Sequence, residues 1–232
     1  MLKLSDSNSK LKKTAKILKE LTGKKAKIFA FNLPAGFNAD GVKVCIGAGD
    51  CLEVCYARQA RYMMSTVKAP RENNFAELEA IYTSGGVDAV TSALVFLVGE
   101  SKATHVRVHD SGDFFSSWYV KAWLSAMEQL SHVTFYAYTK SVPLFVGKAA
   151  KKLPHNFQLT FSYGGIWDKS IPSNAPTARI FTSHEDRIKA GYEDGNSEEY
   201  ADALAIIGKE KIGLVYHGVK NLTAEQKVKF AA

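Results

Sequence analysis

Apolar positions along the chain follow two different periods, and the alternation between them predicts the order of elements. Leu11, Leu18 and Leu21, with Ala15 and Ile17 nearby, recur at helical spacing as far as Gly23. This predicts an amphipathic helix ended by a glycine. The compact apolar run 27–33 predicts a first buried strand, and 34–41 reads as loop. A helical stretch is expected over 51–64. Pro70 should interrupt before a helix over 71–83, closed by Gly85 and Gly86, and a buried helix follows over 87–99.

Polar and apolar residues then alternate over 104–109, a second strand, and Ser116 or Ser117 can cap a helix carrying Val120, Trp123, Leu124 and Met127 on one face. The β-branched and aromatic run 132–139 is a third strand. Pro143 should open a short helix to Leu153. Runs 157–163, 179–183 and 211–217 give three more strands, with a helix over 197–208 before the last.

Strand and helix alternating about six times implies a parallel sheet joined by right-handed crossovers, either an open doubly wound sheet or a barrel. One domain spans 1–232: a basic helix over 1–24, then a βα-repeat core over 25–232 containing the cysteine loop 45–55. In either architecture, function gathers at the carboxyl ends of the strands. There the sequence sets the cysteines after the first strand, Asp110, Ser111 and Asp113 after the second, and Lys140 after the third. Ser162 and Tyr163 follow the fourth, His184 the fifth and His217 the sixth.

Composition adds little to this picture. With 232 residues, 46% hydrophobic and 23% charged, the chain is long enough for a full core. The longest apolar run, 93–98, is far short of the ~20 residues of a membrane span, so no membrane partner is expected. The first residues lack the pattern of a secretory signal, and a cytoplasmic location with reduced thiols is expected. Charge changes the picture more. The net +7 is concentrated in Lys10, Lys12, Lys13, Lys16, Lys19, Lys24, Lys25 and Lys27. A solvated lysine face is the preferred reading, with nucleic acid as the alternative partner.

The candidate chemistry lies in Cys45, Cys51 and Cys55, all the cysteines of the chain within eleven positions. Cys51 and Cys55 are four apart, which places both sulfurs on one face of a helix, and the Gly47-Ala48-Gly49 loop can fold Cys45 toward them. Their odd number argues against a disulfide framework. Zinc sites usually show two close pairs, and no second pair exists here. An iron–sulfur cluster is therefore the leading reading, with one coordination position left for another ligand. A cysteine nucleophile activated by His109 is the rival.

Three cysteines after the first strand of about six βα units resemble the radical S-adenosylmethionine superfamily. Asp50-Cys51 through Cys55-Tyr56-Ala57-Arg58, the run from His109 to Phe114, and Tyr136-Ala137-Tyr138-Thr139-Lys140 look like a phage-encoded family regarded as similar to it. The resemblance implies a partial (β/α)6 barrel-like parallel sheet with an N-terminal helical extension. It implies a [4Fe-4S] cluster on Cys45, Cys51 and Cys55, S-adenosylmethionine at the open iron, and its reductive cleavage to start radical chemistry on an unknown substrate. An electron-donor protein would be a partner, and the cytoplasm of an infected bacterium the location. Ser111, Gly112 and Asp113 then stand where the superfamily meets the methionine amino group, with Asp113 as acceptor; Lys140 and Ser162 complete the cofactor-binding set. The spacing is Cys-x5-Cys-x3-Cys instead of Cys-x3-Cys-x2-Cys, Asp113 replaces a glutamate and Ser111 a glycine. A protein that keeps the barrel and cluster without the chemistry is the alternative. His109 is a further candidate fourth ligand, His184 and His217 are further polar strand ends, and Trp167 is expected to lie over the mouth as a lid.

Overall fold

The computed structural model describes residues 1–5, 9–53, 55–147, 152–195 and 197–215. The six expected strands are β2 (Ile28–Phe31), β3 (His105–Val108), β4 (Thr134–Thr139), β5 (Phe157–Ser162), β6 (Thr177–Phe181) and β8 (Lys211–Val215). Two short strands add to them. β1 (Leu4–Ser5) pairs antiparallel with β2, and β7 (Glu193–Asp194) pairs parallel with β8. The eight-stranded sheet has the order β1-β2-β3-β4-β5-β6-β8-β7, with every pairing but the first parallel. The protein is thus mixed α/β with a mostly parallel sheet.

Alternation along the strands separates two apolar cores. Phe29 and Phe31 of β2, Val106 and Val108 of β3, and Phe135 and Ala137 of β4 belong to the larger one, with α2 (Ser65–Ser101) and α3 (Ser117–Gln129). Ala30, Tyr136, Ala178 and Ile212 belong to the other, with Leu11 and Leu18 of α1 (Ser9–Thr22) and Leu204 of α5 (Glu198–Ile206). Helix α1 is therefore a packed layer of the core and not an extension. Ser116 is the α3 cap, its Oγ accepting from Tyr119 N at 3.3 Å. Ser183 caps the short α4 (His184–Lys189), and Ser197 caps α5.

Other boundaries differ from expectation. The described residues of the stretch 51–64 form three 3-10 turns, Asp50–Leu52, Tyr56–Arg58 and Ala60–Met63, and Cys55, before the second, is extended. Pro70 does not stop a helix. It lies in the second turn of α2, where it can cost one hydrogen bond without ending a helix 37 residues long. The break comes at Gly86, whose φ of 66° and ψ of −158° kink α2 where the two glycines stand. By length and composition α2 would suit a membrane span; here Leu78, Val90, Leu94 and Val98 are buried in the larger core. Pro143 opens only the 3-10 turn Val142–Leu144, and the rest of that expected helix falls partly outside the described residues, as does His217.

Candidate functional site

The carboxyl ends of β2 and β3 are tied together by the residues between β3 and α3. Ser111 Oγ donates to the Leu33 carbonyl at 2.7 Å, and the Asn32 side chain accepts from the Asp110 and Ser111 amides at 2.8 and 3.3 Å. Gly112 has φ of 85°, and a Cβ there would stand 2.6 Å from that of Leu33. Asp113 ties the same turn to β4. Its carboxylate accepts from the Thr139 hydroxyl, the Lys140 amide and the Phe114 amide at 2.7, 2.9 and 2.7 Å. Burial pushes its pKa up against these hydrogen bonds.

The cysteine loop lies across these strand ends. Gly36 donates to Cys45 Sγ at 3.2 Å, and its carbonyl accepts from the Val44 and Cys45 amides. On the far side, Ala48 forms an antiparallel bridge with Gly165, and the Ile166 amide donates to Gly47 O at 3.0 Å. Asp168 fixes the opposing loop by accepting from the Gly164 and Gly165 amides at 2.8 and 2.9 Å. Lys140 spans to β5, its Nζ donating to Ser162 Oγ and to the carbonyls of Ser162 and Tyr163.

Beneath this loop is a cavity of about 610 Å3. All three cysteines line it, as do Ser111, Gly112, Asp113, Lys140 and Ser162. The proposed site residues are therefore brought together, although by loops and not by a helix bearing Cys51 and Cys55. Three of the approximate lone-pair sites of Asp113 are taken, and the three donors of Lys140 all have acceptors nearby. Both side chains hold the strand ends in register around the cavity.

The cysteines are free; Cys55 acts electrostatically on both Cys45 and Cys51, and Cys51 acts on Cys45. Burial pushes the Cys45 thiol up to about 12, with Asp113 adding to it. Burial also raises Cys51, opposed by Lys140, and Cys55, opposed by the Ala57 amide and Arg58. Such thiols are poor nucleophiles at neutral pH, and a cation would be needed to hold them as thiolates. Among the described residues no three His, Cys, Asp or Glu side chains are grouped to hold one metal ion. A cluster makes a different demand, because each thiolate binds its own iron. All three thiols line the cavity, with Lys140 acting on Cys51 and Cys55 and Arg58 on Cys55.

Sequence reasoning missed the ionic floor of the cavity. Lys10, from the basic helix, is buried and donates to Asp110 Oδ1 at 3.1 Å and Glu198 Oε2 at 2.7 Å. Arg107 reaches Asp110 at 3.1 Å and Asp202 at 2.6 Å. Tyr62 donates to Asp110 Oδ2 at 3.2 Å, and Tyr56 donates to the Asp110 carbonyl. Burial works against the Asp110 charge, yet Arg107 and Lys10 hold its carboxyl well below the usual range. The available signal was Arg107 at an inward position of a strand whose alternate residues are valines.

Neither His109 nor His184 joins the site. His109 does not line the cavity; its Nε2 meets the Tyr119 hydroxyl at 2.9 Å and its ring stands edge-on to Phe114. Burial, aided by Arg107, pushes its pKa down to about 3, so it is neutral. It activates no cysteine from there. His184 begins α4, 3.8 Å from Asp194. Trp167 packs on the larger core, and the loop over the mouth presents Gly164, Gly165, Asp168 and Lys169 instead.

The family model described as gene product 88 matches residues 2–230. The Gene 88 protein of Mycobacterium phage D29 is 31% identical over 134 residues, which are 56% of this chain and 52% of that protein. The matched part thus spans about half the length of that curated relative. Neither description names an activity or a cofactor. No solved structure matches the chain.

Proposed function

The chain belongs to the gene product 88 family, a family of phage proteins made in an infected host, and on that premise we propose that it is an iron–sulfur protein of radical S-adenosylmethionine type. One observation carries the reading: all three cysteines line a single cavity at the carboxyl ends of parallel strands. In this reading the six longer parallel strands form a partial (β/α)6 barrel wall, and Cys45, Cys51 and Cys55 hold a [4Fe-4S] cluster at its mouth. A bound cluster would supply the electron for reductive cleavage of S-adenosylmethionine, drawn from a donor protein.

The residues of the chain supply position and shelter. Lys140 and Asp113 keep the ends of β3, β4 and β5 fixed under the cysteine loop. Gly112 lets the β3–α3 turn approach β2 closely, leaving the cavity open above it. The cavity volume falls within the range of small-molecule sites, which favours a cofactor or substrate beside the cluster over a cluster used only for electron transfer. The engaged carboxylate of Asp113 favours the second reading, a cluster protein without this chemistry, because one acceptor position remains for a methionine amino group.

Anaerobic purification tests the cluster. Iron and sulfide should copurify, and Cys45→Ala, Cys51→Ala and Cys55→Ala should each abolish the brown colour. A folded wild type that is metal-free or loaded with zinc refutes the proposal. Adding S-adenosylmethionine to the reduced protein should change its electron paramagnetic resonance signal and yield 5′-deoxyadenosine. An unchanged signal with an intact cluster leaves the second reading.

A further inference from the structure

A second cavity, of about 270 Å3 and not lined by any cysteine, lies between the β1–β2 edge and the start of α2. Its lining includes Lys3, Thr66, Val67, Pro70 and Arg71. Arg71 is only 8% exposed, yet its guanidinium has no hydrogen-bond or carboxylate partner among the described residues. Among the described residues its close partner is the face of the Tyr62 ring, 4.6 Å away. Asp110, Tyr56 and Cys55 act on it through space, but the Asp110 carboxylate is engaged by Lys10, Arg107 and Tyr62. A largely buried cation with no hydrogen-bonded counter-charge is stabilised when something negative joins it.

The same cavity receives a helix terminus that lacks a cap. Met64 precedes α2 and offers no side-chain acceptor, and the Val67 and Lys68 amides both turn back to its carbonyl at 2.9 Å. Among the described residues the Ser65 and Thr66 amides have no acceptor, and no acidic residue lies in the first turn. Free amides and the positive end of a helix dipole favour an anion. A planar guanidinium fork beside them matches the oxygens of phosphate.

We infer that this cavity is an oxyanion site, in which Arg71 and the first turn of α2 bind inorganic phosphate or the phosphate of a phosphomonoester. The inference does not depend on a cluster at the cysteines. Titration calorimetry of the full chain with inorganic phosphate, at low salt, should show one site. Arg71→Gln should weaken binding at least tenfold, and Arg71→Lys by less, since an ammonium keeps the charge without the fork. Lys16→Gln, on the exposed face of α1, should leave binding unchanged. In the wild type, phosphate should protect Arg71 from phenylglyoxal, read by peptide mass mapping. This arm decides the matter if Arg71→Gln does not fold. Ribose 5-phosphate separates the sources: tenfold tighter binding than phosphate points to a phosphorylated molecule, and equal binding to the free ion. No binding by the wild type, undiminished binding by Arg71→Gln, or an unprotected Arg71 overturns the inference.

Discussion

Gly47→Ala should displace the cysteine loop and, where that loop holds the proposed cluster, lower its loading while the sheet stays folded. A Cβ at position 47 would stand 2.1 Å from the Lys140 carbonyl oxygen, 2.4 Å from its carbon and 2.9 Å from the Ser141 amide nitrogen. All three are backbone atoms, so no rotamer change relieves the clash. A carbon and a carbonyl oxygen approach comfortably at about 3.3 Å, so loop and strand end must part by about 1 Å. Overpacking of this kind costs about 1–3 kcal/mol, or roughly 2–12 °C in Tm for a chain of this size. The shift would also stretch the Ile166–Gly47 hydrogen bond and the Ala48–Gly165 bridge. Iron and sulfide per chain after anaerobic reconstitution should fall below half the wild-type value, with far-ultraviolet circular dichroism unchanged. Gly99→Ala is the control: it sits in α2 with nothing within 4 Å of the new methyl, and should stabilise by about 0.5–1 kcal/mol. An unchanged Tm for Gly47→Ala refutes the packing argument. A lowered Tm with full loading refutes its link to the cluster.

Three further outcomes are expected. Lys10→Met leaves Asp110 with only part of its charge compensation and should cost about 3 kcal/mol, the lower end for a broken buried pair, measured by urea unfolding; a loss within 0.5 kcal/mol of zero contradicts a buried network. Asp110 has a folded pKa below its unfolded one, so its stabilisation is present above about pH 4 and fades as pH falls; the stability gap between wild type and Asp110→Asn should therefore close in acid, and a gap independent of pH would contradict the ion pairing. His109 is held neutral with a pKa of about 3, so below pH ~6.5 the unfolded chain takes up the extra proton and stability should fall by up to about 1.4 kcal/mol per pH unit. His109→Asn, which also tolerates the positive φ of that position, should flatten that slope in unfolding curves recorded between pH 7 and pH 4.

The parts of the fold written in local periodicity were legible. The alternation of Val106 and Val108 with Arg107, the aromatic run of β4 and the double glycine at the α2 kink each report a nearest-neighbour preference. The 3-10 turns over 51–63 were not, because their conformation is set by distant partners: Tyr56 and Tyr62 extend to Asp110, 54 and 48 residues away. Asp113 and Lys140 were legible as members of the site but not in their roles, since Thr139 and Ser162 engage them only once β3, β4 and β5 stand side by side. Lys10 was hidden among seven other lysines of the same segment. What distinguishes it is its meeting with Glu198, and no pattern within α1 records that.

That meeting sets an order on synthesis. Helix α1 is made almost first, yet its Lys10 pairs with Glu198, 188 residues later, and its leucines share a core with Leu204 of α5. At about 5–20 residues per second, roughly ten to forty seconds separate the two on the ribosome. Through that interval the larger core on the other face of the sheet can assemble from α2, β3, α3 and β4, while the apolar stripe of α1 waits without its final neighbour. Helix α5, which emerges late, is the one that lets the first one dock, so a chain stalled or shortened before it presents a sticky amino terminus to whatever is nearby.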